Sequence, residues 1–289
     1  MQVSPTITRF CHNTWQLEAN IQLIQLGELH LYVVTDSTPF HPVSHIWPDH
    51  PADKGTLNQH QVVDCQVGAV DLASGELYVG KDIPVKRDQQ GWAFVVVHCL
   101  DISCHDLMVG QSVTLAVDEQ YQRSLSRGHS AGHLSYLALN KVLTEQGYWR
   151  KDADRKDPHG NYDFNSYAQV TSFVTPDKCL DTYRLGKTLR KRGLNSADML
   201  TDLAAIEHAV NRQLIQWLTL HSDVTMECHG ETLTDSRYWQ CDLKEAANAV
   251  IPCGGTHINS LTEYHAIEVI LCAIDEQIIE MHTHVKSSN

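Results

Sequence analysis

The sequence predicts an α+β protein in two parts: a small β-barrel-like domain over residues 1–117 and an α+β domain with a metal site over residues 118–289. Three observations predict it. Apolar and polar residues alternate through the first hundred-odd positions, the pattern turns helical near residue 118, and helices and strands then mix to the end. Trp15, Leu17, Ala19, Ile21 and Leu23 carry the period of a half-buried strand. Gly27-Glu28 offers a turn, after which Leu29, Leu31 and Val33 resume the period. Residues 67–72 and 77–79 flank Ser74-Gly75 as a hairpin, and residues 93–97 form an apolar run of buried-strand length. Short strands with turn signals between them predict a small barrel or sandwich. From Asp118 a helix runs to about Gly147, followed by a hydrophilic loop over residues 150–161. A second helix lies within residues 197–220, where Leu203, Ile206, Val210, Leu214 and Trp217 make one core stripe. Residues 224–228, 269–274 and, more weakly, 277–284 read as strands.

Two spaced pairs of ligand-type residues stand out, His129-Ser-Ala-Gly-His133 and Cys253-Gly-Gly-Thr-His257. Together they supply three imidazoles and one thiol, a complete set of donors for a single zinc ion. The first pair lies in the helical segment, where residues four apart point the same way. The second spans Gly254 and Gly255, which predict a tight loop that converges Cys253 and His257. With 18 histidines in the chain, the first pair alone would be an ordinary coincidence. No glutamate follows His129, which excludes the HExxH metalloprotease arrangement.

Composition bounds the function classes. A chain of 289 residues with 42% hydrophobic and 20% charged residues has the balance of a soluble globular protein. No apolar run reaches membrane-spanning length, and the first residues lack the basic and apolar blocks of a signal peptide. Nine irregularly spaced cysteines, an odd number, predict free thiols in a reducing cytoplasm rather than a disulfide framework. The formal net charge of −13 opposes a nucleic-acid partner in general, because phosphate contacts rely on Lys and Arg. A local basic face remains open to Arg184, Lys187, Arg190, Lys191 and Arg192, or to Arg150, Lys151, Arg155 and Lys156. Each cluster taken alone reads as a solvated helix end or loop rather than a binding face.

The chain resembles the free-standing alanyl-tRNA editing proteins, the AlaX family, which are related to the editing domain of alanyl-tRNA synthetase. Leu107, Gly110, Val113, Val117 and Asp118 match the family's lead-in, and Arg127-Gly-His-Ser-Ala-Gly-His-Leu134 its metal helix. Cys253-Gly-Gly-Thr-His257 matches its second metal loop, and the resemblance spans residues 28–285. Thr38-Pro-Phe-His-Pro42 and Pro51-Ala-Asp-Lys-Gly55 match two further elements. Between them the family carries a glycine-rich segment, which here is Val43-Ser-His-Ile-Trp-Pro-Asp-His50 without any glycine.

The resemblance implies an aminoacyl-tRNA deacylase that frees serine or glycine from mischarged alanine tRNA. It implies tRNA as partner, not DNA or a membrane, and one Zn²⁺ per chain held by His129, His133, Cys253 and His257. Zinc suits the reaction by polarising an ester carbonyl or by making hydroxide available at neutral pH. Four protein ligands would close a tetrahedral site, so catalysis requires one of them to be displaceable. A closed site would instead belong to a zinc-stabilised binding protein, and another acyl ester could be the substrate. Cys253 and Thr38 are the residues implied for catalysis, and Thr38 and Arg127 for substrate binding. Thr38 either reads the serine hydroxyl or caps a turn, and Arg127 either meets a phosphate or forms a surface ion pair. His41, His45 and His50 read as partly exposed loop residues rather than a second metal site. Cys228-His229 and Cys99 to Cys104-His105 read as core thiols beside surface imidazoles.

Overall fold

In a computed structural model that describes residues 3–287, the chain divides into two compact units. The first comprises Met1–Arg123, Cys228–Arg237 and Gly254–Thr256; the second comprises Ser124–Glu227, Tyr238–Cys253 and His257–Asn289.

The first unit is built on one eight-stranded sheet. In chain order its strands are β1 (Gln16–Leu26), β2 (His30–Thr35), β3 (Gly55–Leu57), β4 (His60–Val62), β5 (Asp64–Asp71), β6 (Leu77–Val79), β7 (Trp92–Asp101) and β8 (Ser112–Val117). They run in the order β4-β3-β8-β1-β2-β7-β5-β6, every neighbour antiparallel. The two outermost strands, β4 and β6, do not pair, so the sheet is open and the expected barrel is not closed. Both faces of the sheet carry buried apolar side chains. Ile21, Val33, Leu57, Val96 and Leu115 belong to one cluster, whereas Val34, Val70, Val95 and Val97 belong to another. Burial on both sides explains why β7 reads as a continuous apolar run while β1 alternates.

Two of the sequence elements acquire a physical reason here. A Cβ at Gly55 would stand 2.1 Å from the carbonyl oxygen of Ala116, so only glycine fits where β3 meets β8. Asp53, almost fully buried, accepts the His41 amide at 2.7 Å and the Gln122 amide group at 2.6 Å, tying its loop down. Burial pushes the Asp53 carboxyl up to about 7.

Helix α1 (Glu119–Glu145) starts at Asp118, whose carboxylate accepts the Tyr121 amide at 3.0 Å as an N-cap. It ends before Gly147, which takes the left-handed conformation that terminates helices. After α1 come β9 (Gln169–Thr175), β10 (Lys178–Arg184), helix α2 (Leu203–Leu218), β11 (Val224–Cys228), β12 (Arg237–Cys241), β13 (Ala249–Pro252), β14 (Tyr264–Ala273) and β15 (Ile278–Ser287), which lie in the second unit apart from Cys228 and Arg237. A four-stranded sheet runs β9-β10-β15-β14, and a three-stranded one runs β11-β12-β13.

All five residues of the expected α2 stripe are buried, in one cluster with Leu134, Leu137, Val269 and Ile279. Asn211 and Glu207 of α2 also bond backbone groups of Val269 and Leu271, covering the β14 edge of the sheet. Helix α1 approaches β10 closely because of two glycines. A Cβ at Gly128 would lie 2.5 Å from the Lys178 carbonyl oxygen, and one at Gly132 2.8 Å from Cys179 Sγ. No helix among the described residues is long and apolar enough to cross a membrane.

Candidate metal centre

His129 and His133 lie one turn apart on α1, while Cys253 and His257 follow β13 in the second unit. One donor atom from each of the four lies within 4.8 Å of all the others. Nε2 of His129 and Nε2 of His257 stand 3.4 and 3.2 Å from Cys253 Sγ. A tetrahedral ion with bonds of about 2.0–2.3 Å places its donors roughly 3.3–3.6 Å apart, so the spacing suits one shared ion.

The nitrogen chemistry agrees with the spacing. His133 Nε2 is buried without a hydrogen-bond partner, an arrangement that costs free energy unless something else occupies the lone pair. Burial lowers the His133 pKa to about 4, so its imidazole is neutral and able to donate that lone pair. With His257 Nε2 turned to the thiol, its Nδ1–H donates to Ser130 Oγ at 2.9 Å. Ser130 is fully buried and also accepts the Ile258 amide at 3.3 Å, which fixes the ring's orientation. Tyr136 and Trp239 flank His133 at ring distances of 5.8 and 5.4 Å, forming an aromatic wall. These four side chains can therefore hold a metal ion.

The loop between Cys253 and His257 differs from expectation. Neither Gly254 nor Gly255 takes a positive φ, and a Cβ at Gly254 would meet nothing within 4 Å. Left-handed geometry is thus not what brings the two ligands together. Thr256 explains part of the loop: its hydroxyl lies 3.3 Å from His50 Nε2, within the first unit.

Thr38 lies in the first unit and is fully buried. Its oxygen accepts the Phe40 amide at 3.1 Å and lies 2.8 Å from His98 Nε2. His98 Nδ1 faces the Val33 carbonyl oxygen at 3.1 Å, so that nitrogen carries the proton and Nε2 accepts from the Thr38 hydroxyl. Burial lowers His98 to about 4, which keeps this tautomer neutral. The turn-capping role is therefore present, and one Thr38 lone pair remains. His98, in the buried run of β7, escaped the sequence reading because nothing there distinguishes it from a core residue.

Arg127, in the second unit, makes a two-pronged ion pair with Asp177 at 2.5 and 3.1 Å. His41 and His50 are buried rather than partly exposed, with rings 4.3 Å apart edge to face. His41 packs edge-on against Phe10 at 5.0 Å and the His50 nitrogens face the Pro51 carbonyl oxygen and the Thr256 hydroxyl, while Ile46 and Trp47 stay exposed. Among the described residues, only the four-donor group converges as a metal ligand set of three or more.

No protein-family model matches the chain. It is similar to a protein named alanine–tRNA ligase from Sorangium cellulosum, 28% identical over 197 residues, which cover 68% of this chain and 19% of that protein. The Thermobifida fusca protein of the same name is 26% identical, over 82% of this chain and 22% of its own length. The one from Streptococcus suis is 23% identical, over 90% of this chain and 26% of its own length. The chain thus spans about a fifth to a quarter of these relatives, and the likeness is to one part of a longer protein.

Proposed function

We propose that this chain is a zinc-dependent trans-editing hydrolase that deacylates alanine tRNA mischarged with serine or glycine. The observation that carries the reading is the convergence of His129, His133, Cys253 and His257 in a chain similar to part of alanine–tRNA ligases. The chemistry of the donor set, one thiol and three imidazoles, favours zinc over harder cations.

When bound, zinc supplies a Lewis acid for an ester carbonyl. The chain's own residues do the remaining work. His129 and His133 present their nitrogens from a helix held rigid against β10, and Ser130 fixes the His257 tautomer. The thiol of Cys253 binds as thiolate. An aminoacyl ester is already reactive, so positioning accounts for much of the acceleration required. Thr38 retains one lone pair for a hydroxyl, the basis for discriminating serine. Lys187, Arg190 and Lys191 are exposed and make no ion pair among the described residues, which suits them to phosphate. Arg150, Lys156 and Arg192, by contrast, pair with Asp198, Asp152 and Asp154. Arg127 enters this reading as a residue that anchors α1 through Asp177.

One observation favours a second reading. Four protein donors fill a tetrahedral shell, which suits a zinc-stabilised binding protein that performs no hydrolysis. A deacylation assay with Ser-, Gly- and Ala-charged alanine tRNA, with and without chelator, separates the two. The editing reading predicts chelator-sensitive loss of serine or glycine while alanine is retained. Stable esters with all three substrates would reject it in favour of binding.

A further inference from the structure

Outside the metal-ligand group, one cysteine of the first unit faces an imidazole that is itself held by a carboxylate. Cys104 Sγ lies 3.3 Å from His60 Nδ1. Across the ring, His60 Nε2 lies 2.9 and 3.1 Å from the two Asp106 carboxylate oxygens. The carboxylate accepts the Nε2–H, so Nδ1 keeps its lone pair and the Cys104 S–H donates to it. The Gln59 side-chain nitrogen, 3.2 Å from Nε2, is a donor as well and bonds the same carboxylate at 2.9 Å. Thiol, base and orienting carboxylate therefore follow one another within bonding reach, which is the arrangement of a base-assisted nucleophile.

Local bonds pin the two loops that carry these residues. Asn58 turns the chain between β3 and β4 in the left-handed conformation. Its amide donates to the Thr114 carbonyl oxygen at 2.7 Å, and its side-chain oxygen accepts the Thr114 amide at 2.9 Å. His60 then opens β4. After β7, the Asp101 carboxylate accepts the Ser103 amide at 2.9 Å and the Ser103 hydroxyl at 2.6 Å. The Asp101 carbonyl oxygen accepts the Cys104 amide at 3.1 Å. Cys104 is 9% exposed, against 17% and 54% for the side chains of His60 and Asp106, so the sulfur admits only a small reagent. Burial and the charges of Asp101 and Asp106 raise the Cys104 thiol above its ordinary value, so it rests protonated and needs the His60 lone pair when it reacts. The same two carboxylates repel an anionic reagent.

We propose that Cys104 is a nucleophilic modification site for small, uncharged carbon electrophiles, with His60 as its base and Asp106 positioning the imidazole. Cys104 Sγ attacks the electrophilic carbon. The S–C bond forms as the bond from that carbon to its leaving group breaks, and the leaving group departs with the electron pair. The S–H proton passes to His60 Nδ1, and Asp106 stabilises the imidazolium until the proton is released to water. The reaction is independent of ester hydrolysis and is read without a tRNA substrate. In the sequence Cys104 reads as a core thiol because its base lies 44 positions away, on another strand.

The test treats the full-length protein with iodoacetamide, from which iodide leaves, and follows each cysteine over time by peptide mass spectrometry. Cys272 is the internal reference: it is less buried than Cys104, and its sulfur bonds no imidazole among the described residues. If exposure alone set the rates, Cys272 would be alkylated first. Cys104 is expected ahead of Cys272 by roughly threefold or more, with iodoacetate lagging iodoacetamide at Cys104 by a wider margin than with free cysteine. His60→Gln should slow Cys104 at least roughly tenfold and leave Cys272 unchanged. Asp106→Asn should slow Cys104 roughly fivefold, and Asp106→Glu should restore most of that rate. A Cys104 no faster than Cys272, iodoacetate keeping pace with iodoacetamide there, or an unchanged Cys104 rate in His60→Gln would overturn the proposal. The wild-type rates decide the matter even if a variant fails to fold.

Discussion

Two histidine clusters in this chain make opposite use of the same side chain. In the second unit, His129, His133 and His257 turn nitrogens toward Cys253, and His133 Nε2 is buried without a hydrogen-bond partner. In the first unit, His50 and His98 spend both nitrogens on protein partners: Pro51 and Thr256 for one, Val33 and Thr38 for the other. Burial and lowered basicity are common to both clusters, since His50, His98 and His133 all fall to about 4. What separates them is where the lone pairs go. In the candidate ligand set the donor atoms of four residues lie within 4.8 Å of one another, whereas His50 and His98 each face separate protein partners with both nitrogens.

The comparison can be broken most sharply at Cys253. Cys253→Ala removes the one thiolate, and metal affinity should fall by well over a hundredfold with ester hydrolysis abolished. Full metal content by elemental analysis in that variant would dissolve the contrast. Ser130→Ala tests whether orientation of His257 matters. Loss of such a supporting partner typically costs about 10–100-fold in metal affinity, measurable by competition with a chelator.

The structural cluster predicts a pH effect. A histidine at about 4 when folded binds fewer protons than its unfolded counterpart, whose pKa is near 6.5. Stability is therefore full above that value and is lost as pH falls from about 6.5 towards 4. Each of His50 and His98 should cost roughly 2 kcal/mol by pH 5, visible as a falling urea midpoint. His98→Gln should flatten the curve, and an unchanged pH dependence would remove His98 from the account. Thr38→Val leaves His98 Nε2 and the Phe40 amide without their partner, for about 1–2 kcal/mol of stability. In the deacylation assay it should impair serine removal more than glycine removal; equal effects would leave Thr38 a purely structural residue. The smallest effect is expected at His45, where substitution by Ala should leave metal content unchanged.

How far the sequence carried this picture depended on the range of the interactions. Strands β1 and β2, the 67–79 hairpin and the α2 stripe were legible because local period reflects one buried face. Hairpin β9–β10 was not: in β9 only Val174 is buried, while Val170 and Phe173 are exposed, so no alternation survives. Strand β12 opens with Arg237, buried by its hydrogen bonds to carbonyl oxygens and therefore polar at an inward position. The four candidate metal donors were legible because spacing within each pair is local. Ser130 and His98 were not, since each acquires its meaning from a residue 60 or more positions away. Gly128 and Gly132 look like ordinary motif letters until β10 is seen to press against them.

The most direct test is titration of the metal-free protein with cobalt(II), followed by absorption spectroscopy of the loaded protein. One equivalent bound in a tetrahedral field, with a thiolate-to-cobalt charge-transfer band, is the predicted result. A weak octahedral spectrum without that band, or no stoichiometric binding, would contradict a shared ion between His129, His133, Cys253 and His257.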